Sequence, residues 1–208
     1  MNVHLIAIVG GSGSGKTWLG ARLQEQFGED AAGLSLDHFY RDLSHLPEAE
    51  RNAVNFDDPA AIDWPLFRHS VSRIRCGQPI ELPDYDYGTH TRRPAANTWH
   101  PRRLVLLDGL WLLRESDLRA LYSLSVFVEC PEEVRLARRL KRDQHERCRS
   151  AQAVRAQFRR HVAPMHDRFV APQVQHADLV VYSREGSAML SELRAVLGRL
   201  LQPEERTV

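Results

Sequence analysis

The 208-residue chain is poor in cysteine and has no long hydrophobic run. Its three cysteines are an odd number without a C-x-x-C pair, which argues against a disulfide framework or a cysteine zinc site and indicates a reduced, cytoplasmic protein. The apolar run at 3–9 is too short to cross a bilayer, lacks a basic flank and leads directly into glycines. We therefore expect neither a membrane span nor a targeting segment.

An excess of charge is also missing. The formal net charge of +1 argues against a general nucleic-acid binder, so we expect a small-molecule partner and no nucleic acid. Lysine is scarce, since the 28 basic residues include only Lys16 and Lys141. A chain that uses arginine almost everywhere else retains a lysine where the chemistry needs one.

Lys16 lies in a glycine-rich segment that matches G-x-x-x-x-G-K-[ST] between an apolar strand and a helical pattern. Glycines let successive backbone N–H groups point at phosphate oxygens, while the lysine reaches the outer phosphates and the final hydroxyl ligates Mg²⁺. The predicted ATP-binding residues are Gly10, Gly11, Ser12, Gly13, Ser14, Gly15, Lys16 and Thr17.

Two further apolar strands end in aspartate, Asp108 after 104–107 and Asp37 after 33–36. Because the carboxyl ends of parallel strands share one rim, both carboxylates are expected near the phosphate loop. Asp108 is a candidate Mg²⁺ ligand, or merely begins a turn with Gly109. Asp37 is a candidate base for an acceptor hydroxyl and a contributor to the metal shell, or merely a cap of the next segment. No N-K-x-D guanine reader is present, which favours a small-molecule kinase over a GTPase.

The next candidates lie in NFDDP, 55–59, and PDYDYGTHTR, 83–92. We expect Asp58 to cap a helix that starts at Pro59 and ends near Gly77. Capping then does not account for Asp57. The second segment is crowded with carboxylates, phenols and an imidazole. It is either a segment that recognises a small molecule or a hairpin with packed tyrosines and an exposed His90.

The segments GGSGSGKT, LDHFY, NFDDP, PDYDYGTHTR, LVLLDG, FVECPEEVRLARRLKRDQHER and ADLVV occur in this order from residue 5 to about 181. In this arrangement the sequence resembles the uridine kinase, or uridine-cytidine kinase, family. The resemblance implies phosphorylation of the 5′-hydroxyl of uridine or cytidine with ATP and Mg²⁺, and a homo-oligomer. It assigns Asp37 to the attacking hydroxyl, Asp57 to the ribose, Tyr85 and His90 to the pyrimidine, and Tyr40 to the substrate pocket.

The segment 132–149 is a basic helix followed by what reads as a loop from Asp143 to Arg149. It is either a nucleic-acid arm or, as the balanced charge and the resemblance favour, a lid over the triphosphate. The resemblance places two arginines at the nucleoside or transferred phosphate, Arg135 and Arg147, and two at the ATP phosphates, Arg138 and Arg142. Four others are equally consistent with a solvated face: Arg139, Arg155, Arg159 and Arg160.

The expected fold is a P-loop NTPase α/β fold, with a parallel sheet of about five strands flanked by helices. The strands are expected near Val3, Leu34, Leu104, Ser125 and Leu179. One kinase domain would span 1–208, with a nucleoside-covering lobe at about 78–100 and a lid at about 143–150.

Some positions depart from the family pattern. Asp108 replaces a glutamate and would reach Mg²⁺ through water, Cys148 replaces a lid glycine, Ala153 replaces a substrate-contacting glutamine, and 182–184 lack a proline turn. They leave two alternatives open: a kinase of another small alcohol, such as a different nucleoside, pantothenate or a sugar phosphate, and a nucleotide-dependent RNA-binding regulator.

Overall fold

The computed structural model describes residues 2–146, 149–183 and 188–202. Five parallel strands form one sheet in the order β2-β5-β1-β6-β7. The strands are β1 His4–Gly10, β2 Ala31–Ser35, β5 Leu104–Gly109, β6 Leu124–Glu129 and β7 Leu179–Tyr182. The predicted five-stranded parallel α/β sheet is confirmed, with each strand at its expected place.

Helices and a separate hairpin surround this sheet. The hairpin strands are β3 Ile80–Asp86 and β4 Thr91–Trp99. The α-helices are α1 Lys16–Phe27, α2 Glu48–Ala53, α3 Trp64–Arg75, α4 Ser116–Arg119, α5 Glu132–Glu146, α6 Ala151–Gln157, α7 Ala163–Met165 and α8 Ala188–Leu200. None of the helices in these described ranges is long and apolar enough to cross a membrane.

Alternate residues of the central strand β1 serve two cores, because successive side chains of a strand point to opposite faces. Leu5, Ala7 and Val9 join a cluster with α3 and the hairpin residue Tyr85. Ile6 and Ile8 join a cluster with residues of α1 and α8. This burial on both faces explains why the strands read as continuous apolar runs.

The segment after Asp58 differs from the expected single helix. A 3₁₀ turn covers Pro59–Ala61, with Asp58 accepting a 2.8 Å hydrogen bond from the Ala60 N–H. The α-helix begins only at Trp64, where Asp63 is its N-cap and accepts from the Leu66 N–H at 3.2 Å. Asp58 therefore caps as predicted, but it caps a short turn that carries the chain into α3.

The basic segment also differs from expectation. Helix α5 continues through Glu146, so Asp143 to Glu146 is helical and not a loop. Arg147 and Cys148 lie outside the described residues. The chain then forms an irregular helical stretch from Ala151 to His176, in which Phe158–Val162 and His166–Val170 are π-helical.

Candidate functional site

The phosphate loop has a backbone that only glycine adopts easily. Gly13 and Gly15 have φ of +81° and +98°, and the Ser14 N–H donates to the Gly11 carbonyl at 3.0 Å. A Cβ on Gly13 would lie 2.6 Å from the Arg135 carbonyl oxygen. The loop is thus a tight curl closed from behind, and it ends at the first turn of α1, which carries no acidic residue. That open helix N-terminus suits an anion.

Lys16, Asp37 and Asp108 form a charged group beside this loop. The Thr17 hydroxyl donates to Asp108 Oδ2 at 2.7 Å. Burial lowers the pKa of Lys16, and Asp108 and Asp37 oppose that shift. Burial raises the pKa of Asp37, and the Lys16 charge opposes it. The grouping follows from the sheet, because Ser35 of β2 pairs with Asp108 of β5 and Asp37 lies two residues further on.

Aromatic rings build the opposite end of the cleft. The His90 imidazole stacks on Phe56, with centroids 4.2 Å apart and planes at 19°. The Tyr40 and Tyr85 ring centroids are 5.4 Å apart, and the Tyr40 hydroxyl donates to the Phe56 carbonyl at 3.1 Å. The Tyr85 hydroxyl is buried without a hydrogen-bond partner in the described part of the chain. An unsatisfied buried hydroxyl is costly and is ready to pair with a bound ligand.

Burial also sets the ionisation of this end. It raises the pKa of Tyr85 to about 12 and, against the Arg139 charge, raises the pKa of the Asp57 carboxyl. It lowers the pKa of His90, and the Arg51 guanidinium lowers it further. At neutral pH the cleft therefore offers a phenol and an uncharged imidazole, groups that can donate and accept hydrogen bonds.

One cavity of about 630 Å³ joins the two ends. It is lined by most of the residues predicted for the site: Ser12, Gly13, Gly15, Lys16, Thr17, Asp37, Tyr40, Asp57, Tyr85, His90, Asp108, Arg138 and Arg142. Gly10, Gly11 and Ser14 belong to the same loop but do not line the cavity. The segment 83–92 is indeed a hairpin, yet its His90 turns into the cleft.

Arg135 is not brought to the cleft. It is buried behind the phosphate loop, where its Nε donates to the Cys130 carbonyl at 3.2 Å and its guanidinium lies over the Phe158 ring. A Cβ on Gly11 would lie 2.8 Å from Arg135 Nη1. Arg135 therefore supports the loop from below. The second predicted substrate arginine, Arg147, lies outside the described residues.

Arg139 lines the cleft, so the solvated face, one of the alternatives left open for it, does not hold. It is 6% exposed, and its Nη1 donates to Ser12 Oγ at 2.8 Å and lies 3.9 Å from Asp57 Oδ1. Arg142 and Arg149 join it around the buried Asp143 carboxylate, at 2.9 Å and 3.7 Å. By contrast, the other three arginines for which a solvated face was left open are exposed: Arg155, Arg159 and Arg160.

Sequence reasoning also did not identify Gln157 as a residue of the cleft. Its Oε1 accepts from Arg139 Nη2 at 3.3 Å and from Arg149, and the residue lines the cleft. Ala153, where a glutamine was expected, is exposed, and its N–H is capped by Ser150. The glutamine that lines the cleft thus lies one helical turn further along the chain than Ala153. Trp18 and Asn52 line the cleft as well, without a sequence signal of their own.

A phosphate loop after the central strand of this parallel sheet, with basic side chains across the cleft, defines a P-loop kinase fold. The model of the phosphoribulokinase / uridine kinase family matches residues 5–188, and the chain belongs to this family. Among solved structures, phosphoribulokinase from Rhodobacter spheroides superposes with a TM-score of 0.62 at 14% identity, over 87% of this chain and 70% of that one.

Two curated relatives are closer in sequence. The uridine kinase of Deinococcus deserti is 41% identical over 178 residues, which are 85% of this chain and 86% of the relative. The uridine kinase of Klebsiella pneumoniae (strain ATCC 700721 / MGH 78578) is 40% identical over 184 residues, with 85% of each chain covered.

Proposed function

We propose that this protein is a nucleoside kinase that transfers the γ-phosphoryl group of ATP to the 5′-hydroxyl of uridine or cytidine. The relatives named uridine kinase support the reaction. The single observation that carries it is the shared cleft, in which the phosphate-binding group of Lys16 and Thr17 faces Asp37, Asp57, Tyr85 and His90 across one cavity.

The donor would be held by backbone amides of residues 10–17 and by Lys16, with arginines over the transferred group. Arg138 Nη1 donates to the Ser14 carbonyl at 3.1 Å and thus lies against the loop. Arg139 and Arg142 approach from the same helix. Phosphoryl transfer involves little covalent chemistry for the protein, so fixed positive charge around the phosphoryl oxygens supplies most of the rate enhancement.

The oxygen ligands at the rim fit Mg²⁺. Mg²⁺ prefers one or two carboxylates together with phosphate oxygens and water, and the Thr17 hydroxyl, Asp108 and Asp37 supply such a set. The described residues contain no cluster of three or more His, Cys, Asp or Glu that would form an all-protein metal cage, which agrees with a metal held jointly with the nucleotide. When bound, Mg²⁺ would neutralise the phosphate charge.

The acceptor would lie between Asp37 and the hairpin. Asp37 would orient the 5′-hydroxyl and take its proton, a role helped by a raised pKa. Asp57 would accept from the two ribose hydroxyls, and the free Tyr85 hydroxyl and the neutral His90 would read the base. Tyr40, whose hydroxyl is already paired, would supply an aromatic wall.

The proposal extends to the organisation of the chain. We take 1–208 as one kinase domain in which the region 78–100 covers the nucleoside and the segment 143–150 forms the lid. Arg149 and Gln157 then belong to the lid side of the cleft. A reduced, cytoplasmic homo-oligomer completes the proposal, and sedimentation of the purified protein measures the oligomeric part.

The test is a turnover assay with ATP, Mg²⁺ and one acceptor at a time: uridine, cytidine, adenosine, pantothenate or ribose 5-phosphate. ADP and the phosphorylated acceptor are both quantified. Monophosphate formation with uridine or cytidine at the highest kcat/KM is expected. A higher kcat/KM for pantothenate or ribose 5-phosphate would assign the cleft to another alcohol. Salt-sensitive RNA binding without any turnover would favour the regulator instead.

A further inference from the structure

The hairpin that carries Tyr85 and His90 is built apart from the main sheet. β3 and β4 form their own two-stranded sheet, whereas Asp37 follows β2 of the five-stranded sheet. A two-stranded hairpin alone has little stability in water, and phosphoryl transfer tolerates little misplacement of the acceptor. Contacts with the rest of the molecule must therefore fix the hairpin relative to the turn that bears Asp37, and the packing of Tyr85 in the core is one of them.

Arg92 adds directional polar contacts from β4. Its Nη1 donates to Asp63 Oδ2 at 3.0 Å, and its Nη2 donates to the Phe39 carbonyl at 3.2 Å. Its own backbone N–H donates to Asp42 Oδ1 at 3.0 Å. One residue thus ties the hairpin to three points of the segment 39–63, and a planar guanidinium is suited to such a forked contact.

The partners of Arg92 are themselves fixed. The Phe39 carbonyl also accepts from the Asp63 N–H at 2.8 Å, and the other Asp63 oxygen caps α3. Phe39 closes the 3₁₀ turn Leu36–Phe39 that contains Asp37. Movement of the Arg92 guanidinium would therefore displace both the N-cap of α3 and the turn that contains Asp37.

On the hairpin side, Arg92 is next to the groups that face the cleft. It is the cross-strand partner of Tyr85 and lies two residues after His90. His90 has a φ of +58°, and its carbonyl accepts from the Leu43 N–H at 3.3 Å. A side chain held in a left-handed backbone conformation needs support from its surroundings. The Arg92 contacts provide that support two residues further along the chain.

The neighbouring Arg93 offers a contrast. Its side chain is 62% exposed and pairs with Asp84 and Asp86 of the same hairpin, whereas the Arg92 side chain is 18% exposed and pairs outside it. Exposed pairs contribute little to structure or stability. Both arginines carry the same charge on the same strand, so Arg93 is a matched control.

We propose that Arg92 is a positioning residue that sets the hairpin, and with it Tyr85 and His90, at the correct distance and angle from Asp37. The inference rests on the proposed function only for the identity of the ligand that these side chains would contact. The attachment itself is a property of the free protein. Arg92 does not line the cleft, so it acts on the substrate through the two hairpin side chains.

The experiment compares wild type with Arg92→Met, Arg92→Lys and Arg93→Met by steady-state kinetics with uridine and ATP. For Arg92→Met we expect the KM for uridine to rise about tenfold or more while the KM for ATP stays within about twofold. Arg92→Lys should show a smaller rise, because it keeps a charge but loses the fork. Arg93→Met should match wild type. Equal KM values for uridine in all four proteins would overturn the inference.

Hydrogen exchange on the free proteins gives a readout without substrate. Peptides from 80–99 should exchange faster in Arg92→Met than in wild type or Arg93→Met, while peptides from β1 and β5 should not change. If wild type turns over no pyrimidine nucleoside, the proposed function fails, and exchange alone decides the attachment. Unchanged exchange in Arg92→Met would contradict it. If Arg92→Met does not fold, Arg92→Lys and the cap-preserving Asp63→Asn carry the same comparison.

Discussion

The two ends of the cleft are built in different ways. The end proposed to bind ATP, here called the donor end, is the run of eight consecutive residues 10–17, which begins at the end of the central strand of a buried sheet. The end proposed to bind the nucleoside, here called the acceptor end, collects side chains from three separate segments: Asp37 from the turn after β2, Asp57 from the stretch before Pro59, and Tyr85 and His90 from the hairpin. The first is closed by a hydrogen bond within its own backbone, from Ser14 to Gly11, whereas the second depends on contacts between segments such as that of Arg92 with Asp63.

This difference predicts that substitutions will separate donor effects from acceptor effects. The largest change is expected for the group between the two ends. Asp37→Asn keeps the side-chain volume but removes the base, so kcat should fall by about 10²–10⁴-fold while ATP binding, measured by calorimetry with a non-hydrolysable analogue, stays near wild type. Near-normal turnover would remove Asp37 from the chemistry.

A change at the acceptor end should spare the donor. His90→Ala removes the ring that stacks on Phe56 and a hydrogen-bonding group, so nucleoside affinity should fall about tenfold to a hundredfold. ATP affinity should not change. The exposed His69→Ala on α3 is the matched control. An equal loss of nucleoside and ATP affinity would count against separate ends.

The converse change is Gly13→Ala. It forces a side chain into a φ of +81° and against the Arg135 carbonyl, so the loop must shift. ATP affinity should fall about tenfold or more, because phosphate binding depends on the aligned amides. Nucleoside affinity without ATP, followed by calorimetry, should stay within about twofold. Retained ATP affinity would show that the loop tolerates a different curl.

The pH dependence of the KM for the nucleoside tests the acceptor end further. The pKa of His90 lies below the usual 6.5 because of burial and Arg51, so the imidazole is neutral at pH 7 and above. The KM for the nucleoside should therefore be constant from pH 9 to 7 and rise a few-fold only as the pH falls below 6.5. In His90→Gln, whose side chain cannot gain a proton in this range, this rise should disappear. A rise centred above pH 7 would contradict the sign of the shift.

The smallest effect is a change in stability alone. Gly20 lies inside α1, and a Cβ there would meet only Ile8 Cδ1 at an ordinary 3.8 Å. Gly20→Ala should raise the free energy of unfolding by about 0.5–1 kcal/mol, because glycine is costly in a helix interior. Chemical denaturation measures it, and both KM values should be unchanged. Destabilisation would mean that α1 is held less regularly than its hydrogen bonds indicate.

Sequence reasoning reached the donor end because contiguous residues carry it. The motif at 10–17 requires a strand before it and a helix after it, and both are present. Asp37 and Asp108 followed from the rule that parallel strands end at one rim. The five strands were predictable for the same reason, since burial on both faces leaves an uninterrupted apolar run.

The sequence-based expectations that did not hold concerned the rotation of a helix about its axis and the residue at which a helix starts. The helix phase of α5 turns Arg139 into the cleft and Arg135 behind the loop, and local sequence does not fix that rotation. The start of α3 was misplaced because Asp58-Pro59 and Asp63-Trp64-Pro65 give the same capping signal. Arg92 ends the segment PDYDYGTHTR, but local sequence did not indicate its role, since its side-chain partners are 29 and 53 residues away.

The central claim is that the two ends meet on one 5′-hydroxyl. The most direct measurement compares uridine with 5′-deoxyuridine, which keeps the base and the ribose hydroxyls but lacks the acceptor, in the presence of ATP and Mg²⁺. We predict stoichiometric ADP and uridine 5′-monophosphate from uridine, and competitive inhibition without turnover by 5′-deoxyuridine. Phosphorylation of 5′-deoxyuridine, or ADP release at the same rate with and without uridine, would contradict the account.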